Sequence, residues 1–489
     1  MTCAAANLAG LASRLTEIEG ASPLGISSIE VGQDALQRLP DVLAGLLAGP
    51  LAGPPASGMV AVLAENVRLE YRGDDLRDVV ARMVAARHQL VEVSVPAHNG
   101  RAHADAATIE AAAQQAAGAG ALVTVGSGTL ADIGKAASQQ LGGLPHVIVQ
   151  TALSVNGFAD DQSVLIVDNV KRTVPTRWPD ALIADTEVLA GAPARLNAAG
   201  VGDLMAMFTA PADWQLATLL NMGSGYSPRL VGMVRDCGPD LLRAATRLAD
   251  RDPEAIECVA RILTLSGITM GAAGTTAPSS GAEHTISHLI EMAGNRLGRP
   301  SAFHGAQVGA STVLAALVWQ RVRGLLTGGL ASAGPGGGPP GSPGGGPVRL
   351  RFPADDEVEP MVRAAFDQVD PTGTMSEECW RLYRTKLARW RDNSDRLVRT
   401  DWAEVEAAVA PLLLEPGALV EALASAGSPT RFAELDPPVP PDTVHWALAN
   451  CHLMRDRFTV VDLAWFLGGW NADVARDVLA EAGRLGAGL

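Results

Sequence analysis

Between Met59 and Gln150 the chain alternates short apolar, β-branched runs with helical segments, and few folds accept that alternation. Met59-Val-Ala-Val-Leu-Ala64 is a continuous apolar run bounded by Gly58 and Glu65, the pattern of a parallel strand buried on both faces. A helix is expected from Asp75 to Arg87, a strand at Leu90–Val95, a helix at Ala106–Ala117 and a strand at Ala121–Val125. Further strands are expected at His146–Gln150 and Val164–Val167, while residues 1 to about 45 read as helix and loop, with Gly20–Glu30 approaching the first strand. This is the pattern of a doubly wound parallel sheet. After about residue 190 strand signals stop, and long Ala/Leu/Met/Arg segments such as Ala194–Leu220 and Leu230–Ala249 take over. The expected fold class is therefore α/β followed by all-α, with a doubly wound domain at 1–190 and a helical domain at 191–489. Residues 328–347, GGLASAGPGGGPPGSPGGGP, are too poor in side chains to bury anything and read as a surface insertion; Asp356–Gly486 returns to helical patterning.

Composition narrows the partners. With 489 residues, 47% apolar and 19% charged, the chain is long and apolar enough for more than one packed core. Its net charge of −15 repels nucleic acid phosphates and anionic lipid, so neither a nucleic acid nor a membrane partner is expected. Five scattered cysteines without a CxxC pair argue against a disulfide framework or a thiolate metal cluster. Met1–Gly20 lacks the basic-then-apolar order of a signal peptide, and no window holds 18 uninterrupted apolar residues, so a cytoplasmic location is expected. Only three of the 38 basic residues are lysine: Lys135, Lys171 and Lys386. In a chain that otherwise writes Arg, a Lys marks a place where a compact ammonium fits and a planar fork does not.

Two constellations carry chemistry. Val123-Thr-Val-Gly-Ser-Gly-Thr-Leu-Ala-Asp-Ile-Gly-Lys135 runs from a strand through a glycine turn into a helix. Gly126 and Gly128 allow close backbone approach, and the free N–H groups at the new helix start suit a pyrophosphate, although such a turn also takes glycine for geometry alone. Asp132 and Lys135 lie one turn apart and can pair or reach polar atoms of a ligand. The second constellation is Gly281-Ala-Glu-His-Thr-Ile-Ser-His288, followed by His304. The i, i+4 spacing places His284 and His288 on one helix face, where two imidazoles can share a metal; a lone histidine on such a face is more often a satisfied core residue. Three of the nine histidines fall between 284 and 304, and Asp203 in Gly200-Val-Gly-Asp203 offers a carboxylate upstream, which favours metal binding.

These segments resemble the sn-glycerol-1-phosphate dehydrogenase family, including its bacterial arabinose-operon members, within the superfamily of iron-containing alcohol dehydrogenases and dehydroquinate synthases. The resemblance is carried in order by VGSGTLADIGK (125–135), QTALSVNGFA (150–159), LAGAPARLNAAGVGDLMAMFTAPADW (189–214), SSGAEHTISHLIEM (279–292), FHGAQVG (303–309), MSEECWRLYRTKL (375–387) and MRDRFTVVDL (454–463). It implies a dinucleotide-binding α/β domain followed by a helical metal- and substrate-binding domain, a dehydroquinate synthase-like arrangement. It implies that Asp203, His284 and His304 ligate one divalent metal (zinc, nickel or iron), with His288 nearby but off the metal. Gly126, Ser127, Gly128, Thr129, Asp132 and Lys135 match the segment at the NAD or NADP pyrophosphate; Thr151 and Ser154 match positions beside the nicotinamide ribose. Glu65, at a strand end, fits an acceptor for the adenosine ribose and leans toward NAD over NADP, or is simply a solvated strand-end residue. The implied activity is hydride transfer between nicotinamide and a small hydroxy-ketone or polyol, the metal acting as Lewis acid on the carbonyl. Family likeness implies a homodimer at most.

Three positions depart from the family pattern. Asn156 stands where the family has Asp, Met207 where it has Lys, and Gln150 where it has Pro. Met207 lies four residues after Asp203, so it is expected on the same helix face, and its loss of charge removes an anchor for an anionic substrate group. Asn156, counted with the catalytic set, lacks the negative charge that handles protons near cofactor and substrate. The expected substrate is accordingly an altered, even unphosphorylated, hydroxy-ketone or polyol. Two other readings remain at this point: a dehydroquinate synthase-like NAD-dependent cyclase or lyase, and a catalytically inactive paralogue.

Overall fold

The structure, a computed structural model, describes residues 6–48, 58–65, 67–95, 97–98, 101–167, 170–328 and 350–489. The expected insertion at 328–347 lies outside the described residues except for Gly328, as does the side chain of Lys171. Two compact units emerge. The first comprises Met1–Leu204, Arg229–Thr276 and Ser425–Ser428; the second comprises Met205–Pro228, Ala277–Ala424 and Pro429–Leu489.

The first unit is built on β1 (Ser28–Gly32), β2 (Met59–Ala64), β3 (Gln89–Val93), β4 (Ala121–Gly126), β5 (His146–Gln150), β6 (Gln162–Val167), β7 (Val170–Pro175) and β8 (Ala181–Asp185). Six of these strands form one all-parallel sheet in the order β1-β8-β5-β4-β2-β3. Alternate side chains feed two cores, as the strand repeat of two requires. Val60, Val62, Val123 and Val125 pack with the helices α1 (Leu39–Ala48) and α2 (Leu76–Ala85). Ala61, Leu63 and Leu122 pack on the other face with α3 (Ala106–Ala116) and α4 (Gly128–Gln140). Asp75 and Asp105 cap α2 and α3 by accepting the N–H groups of Arg77 and Thr108, which satisfies donors that the first helical turn leaves over.

The strand order reverses between β2 and β4. From β2 the chain moves outward to β3 and then returns to the opposite side of β2 as β4, which leaves a crevice at their carboxyl ends. Ala64 pairs with Val125 there, so Glu65 and Gly126 stand at the mouth of that crevice.

Several expectations need correction. β1 lies within the stretch read as helix and loop, and β8 was not foreseen although all five of its residues are buried. Val164–Val167 does form strand, within β6, but β6 and β7 make a separate antiparallel ribbon outside the parallel sheet. The segment Ala194–Leu220 is divided into α5 (Ala194–Leu204), a 3₁₀ turn at Met205–Phe208 and α6 (Ala210–Leu219). Asp203 and Met207 therefore do not share one continuous α-helix. Leu230–Ala249 is likewise broken, into Pro228–Arg235 and Gly238–Leu248.

Beyond β8 the described residues contain no further named strand. α7 (Pro253–Ala273) belongs to the first unit; it starts on the Asp252 cap with Pro253 at its first position and ends on Gly274 at φ +62°. Its length and apolar composition would allow a membrane span, but 89% of the apolar stretch is buried. Trp402–Ser425 also passes on composition, 28% buried, yet it is divided into Trp402–Val409, Ala410–Leu412 and Pro416–Ser425. The second unit is helical, with α8 (Ala282–Arg296) packed along α9 (His304–Gly328), followed by α10 (Thr374–Asp392) and α11 (Val460–Phe466). Trp390 of α10 stacks on Phe466 of α11 with ring centroids 4.2 Å apart.

Candidate active site

In the first unit the glycine turn enters α4 with Ser127 at the cap position, and the Ser127 side chain makes no capping hydrogen bond. The helix start therefore keeps N–H donors for an anion. A Cβ on Gly126 would stand 2.4 Å from Leu130 Cδ1, and one on Gly128 would stand 2.8 Å from Val155 Cγ2, so packing alone demands both glycines. Thr129 is exposed beside them. Thr151 donates its N–H to Gly126 O at 3.1 Å, and the buried Ser154 hydroxyl has no hydrogen-bond partner among the described residues. Glu65, partly buried at the opposite lip, accepts the Ala102 N–H on Oε1 at 3.0 Å.

Lys135 is turned to an internal task. Its Nζ donates to Gly157 O at 2.8 Å, to Asp160 Oδ1 at 2.7 Å and to Gln162 O, and it lies 3.6 Å from Asp132. With its three N–H groups so engaged, Lys135 ties α4 to the segment after Asn156 and has no donor left for a pyrophosphate. Burial pushes the Asp132 carboxyl up to about 7 against the pull of the Lys135 charge.

The 151–156 loop is fixed to α5 residue by residue. Asn197 Oδ1 accepts the Leu153 N–H at 2.9 Å, and Asp203 Oδ2 accepts the Asn156 N–H at 2.9 Å. Asn156 also donates from Nδ2 to Ser266 Oγ of α7 at 3.1 Å, so its amide is a packed, bonded group. Asp203 is 1% exposed at the carboxyl end of α5.

In the second unit three imidazoles meet. Ring centroids lie 5.3 Å apart for His284 and His304, 6.1 Å for His284 and His288, and 5.4 Å for His288 and His304. His284 and His304 each present Nδ1 to a carboxylate: Glu283 Oε1 at 3.0 Å and Glu291 Oε1 at 3.3 Å. That contact holds the proton on Nδ1 and leaves the Nε2 lone pair to a metal. Burial works to raise the Glu283 carboxyl, but the His284 contact, the Gly281 N–H at 2.5 Å and the Thr209 hydroxyl at 2.8 Å hold it below its ordinary range. His288 is held neutral, well below the usual histidine range, by burial and then by the Arg455 charge.

The start of α8 is set by Asp213 of α6. Its Oδ2 accepts the Ala282 N–H at 2.7 Å and its Oδ1 accepts the Val460 N–H at 2.8 Å, so one carboxylate caps two helices. A Cβ on Gly281 would lie 2.5 Å from Asp213 Oδ2 and 2.9 Å from Ala210 Cα, which explains the glycine before α8. Sequence reasoning missed Glu283, Glu291 and Asp213. The first two had a signal, since a carboxylate adjacent to or one turn from a histidine pair on one helix can orient it; Asp213 had none.

Residues 31–193 match the family of iron-containing alcohol dehydrogenases. Its curated relatives include glycerol-1-phosphate dehydrogenase (NAD(P)+) of Bacillus licheniformis, 29% identical over 338 residues, covering 69% of this chain and 66% of that protein. The enzyme of the same name from Bacillus velezensis is 37% identical over 190 residues, covering 39% of this chain and 48% of the relative. The matched region thus spans between about half and two thirds of these relatives' length. Among solved structures, the iron-containing alcohol dehydrogenase of Corynebacterium glutamicum shares the fold at a TM-score of 0.51 and 15% identity, covering 94% of this chain and 98% of that one.

Proposed function

We propose that this protein is a metal-dependent, NAD(P)-linked dehydrogenase transferring a hydride between nicotinamide and a small hydroxy-ketone or polyol, with reduction of glycerone phosphate to sn-glycerol 1-phosphate as the reference reaction. The observation that carries the reading is the pair of carboxylate-oriented imidazoles, His284 with Glu283 and His304 with Glu291. Two histidines fixed through Nδ1 form a donor set for zinc, nickel or iron(II), and Asp203 is the third ligand by family resemblance. Bound there, a divalent ion supplies Lewis acidity to a substrate carbonyl. His288, neutral beside the pair, is a positioning or proton-handling group without a ligand role. The dinucleotide lies in the β2/β4 crevice, its pyrophosphate at the uncapped start of α4 and its ribose near Ser154, whose unpartnered hydroxyl fits a sugar hydroxyl. Glu65 reaches an adenosine ribose only by giving up or sharing the Ala102 N–H.

The test is initial-rate NADH and NADPH oxidation by the metal-loaded protein, with glycerone phosphate and dihydroxyacetone as substrates. Turnover that disappears with a chelator and returns with metal supports the reading. No oxidation of either cofactor with either substrate, at full metal occupancy, sinks it.

A further inference from the structure

The start of α8 sits in a frame made by residues from two other places in the chain. Gly281 holds the cap position of α8 and has no side chain with which to cap it. Successive backbone groups are bonded by side chains instead. Ser280 O accepts from Arg457 Nη1, the Gly281 N–H goes to Glu283 Oε1 at 2.5 Å, and the Ala282 N–H goes to Asp213 Oδ2 at 2.7 Å. A Cβ on Gly281 would come within 3.1 Å of Glu283 Oε2 as well as striking Asp213, so both carboxylates crowd the one residue. His284 follows Ala282 by two residues.

Thr209 and Asp213 lie four residues apart at the start of α6, hence on one helix face, and both reach α8. Thr209 Oγ1 donates to Glu283 Oε2 at 2.8 Å, while Glu283 Oε1 faces His284 Nδ1 at 3.0 Å. Thr209, Glu283 and His284 thus form one buried, hydrogen-bonded line. Asp213 commits its other oxygen to the Val460 N–H at 2.8 Å, which locks the frame to the start of α11. Arg457 arrives on the turn just before Val460, and Lys386 Nζ holds that turn by donating to Arg457 O at 3.2 Å. All of these residues belong to the second unit.

We propose that Thr209, Asp213 and Arg457 are positioning residues that aim the His284 Nε2 lone pair. The strength and geometry of metal binding are then set from α6 and from the 457–460 turn, neither of which supplies a ligand. The inference rests on the metal-dependent reading for His284 as a ligand and adds the part of the chain that controls it. Glu283 fixes the imidazole through Nδ1, but a glutamate side chain is long and flexible, and the Thr209 hydroxyl and Gly281 N–H are what settle it. The backbone of His284 follows the first turn of α8, which Asp213 and Arg457 pin by one N–H and one C=O.

Cobalt(II) is the probe, because its visible absorption bands report ligand geometry. Thr209→Val, which removes one hydroxyl and keeps the shape, and Asp213→Asn are each expected to bind cobalt(II) about 10- to 100-fold more weakly than wild type and to shift those bands. Asp252→Ala, which removes the cap of α7 in the first unit, lowers the melting temperature and leaves affinity and bands as they are. Arg457→Lys keeps a donor for Ser280 O and binds as wild type does, whereas Arg457→Met binds more weakly. Wild-type affinity and bands in Thr209→Val or in Asp213→Asn overturn the proposal, and Thr209→Val decides alone where Asp213→Asn does not fold. A metal-free measurement separates the proposal from the dehydrogenase reading. In protein carrying isotope-labelled histidine, the magnetic resonance signals of His284, identified by their loss in His284→Ala, show the Nδ1–H tautomer in wild type and a mixture of tautomers in Thr209→Val. That change in a protein that binds no cobalt keeps the positioning role and removes the metal-dependent reading. The same tautomer in both proteins overturns the positioning role, whether or not metal binds.

Discussion

The carbonyl oxygen of Leu153 lies 1.9 Å from the point where a Cβ on Gly200 would stand. Helix α5 and the 151–156 loop therefore meet backbone to backbone, flanked by the hydrogen bonds from Leu153 N to Asn197 and from Asn156 N to Asp203. Asp203 is aimed by this contact. Gly200→Ala must separate the two backbones and is expected to destabilise by about 1–3 kcal/mol, as overpacking does. Gly232→Ala, in a helix with open space around it, is expected to stabilise by about 0.5–1 kcal/mol. Denaturant midpoints of the two variants moving the same way would falsify the close-approach account.

Metal retention separates the three histidines. His284→Ala and His304→Ala are each expected to lose bound metal, while His288→Asn keeps it. Glu291→Gln keeps the ligand but removes the charge on its Nδ1 partner, and is expected to weaken metal affinity by about 10-fold or more. Chelator competition followed by elemental analysis reads all four; full occupancy in His304→Ala rules out the ligand assignment.

Lys135 predicts a stability effect rather than a cofactor effect. Lys135→Met leaves Asp160 buried and unpaired and is expected to cost about 3–5 kcal/mol. The double variant Lys135→Met/Asp160→Asn recovers part of that loss, giving a coupling energy in a double-mutant cycle. A variant that melts normally but binds NADH poorly would restore the cofactor role to Lys135.

His146 predicts acid sensitivity. Burial, with the nearby Arg177 and Lys135 charges, drives its pKa down to about 3, and its Nε2 bonds the Thr124 hydroxyl at 2.8 Å. The unfolded chain takes up the proton near its ordinary value of about 6.5 while the folded chain refuses it, so the stability is fully present above about 6.5 and is lost as pH falls from there toward about 3. The expected slope is roughly 1.4 kcal/mol per pH unit within that window. His146→Gln should flatten the fall in unfolding free energy between pH 6 and pH 4; parallel curves for wild type and variant exclude the assignment.

How much was legible depended on burial and sequence distance. β2 and β4 were readable because strands covered on both faces are apolar throughout. β1, Ser-Ile-Glu-Val-Gly, is only partly buried at the sheet edge and carries too little apolar signal. β8, Ala-Leu-Ile-Ala-Asp, runs directly into a helix that Asp185 caps, so its five buried residues merged with the start of the helical half. At the site, His284 and His288 were visible from their spacing on one helix, whereas His304 opens the next helix and meets them through folding. Asp213 was not, because its partners Ala282 and Val460 are brought to it by folding alone. Lys135 showed its i, i+3 neighbour Asp132 in the sequence, whereas its shorter contact is to Asp160 on a later loop.

The pairing of β1 with β8 sets the order of synthesis against the order of assembly. Ser28–Gly32 emerges from the ribosome before any other strand of the sheet, yet its neighbour Ala181–Asp185 is the last of the six to be made. The first unit also needs Arg229–Thr276, and so waits beyond its own sheet for α7. A nascent chain therefore carries Ser28–Gly32 unpaired until the last strand of the sheet has been made, and a pairing across that much chain closes slowly.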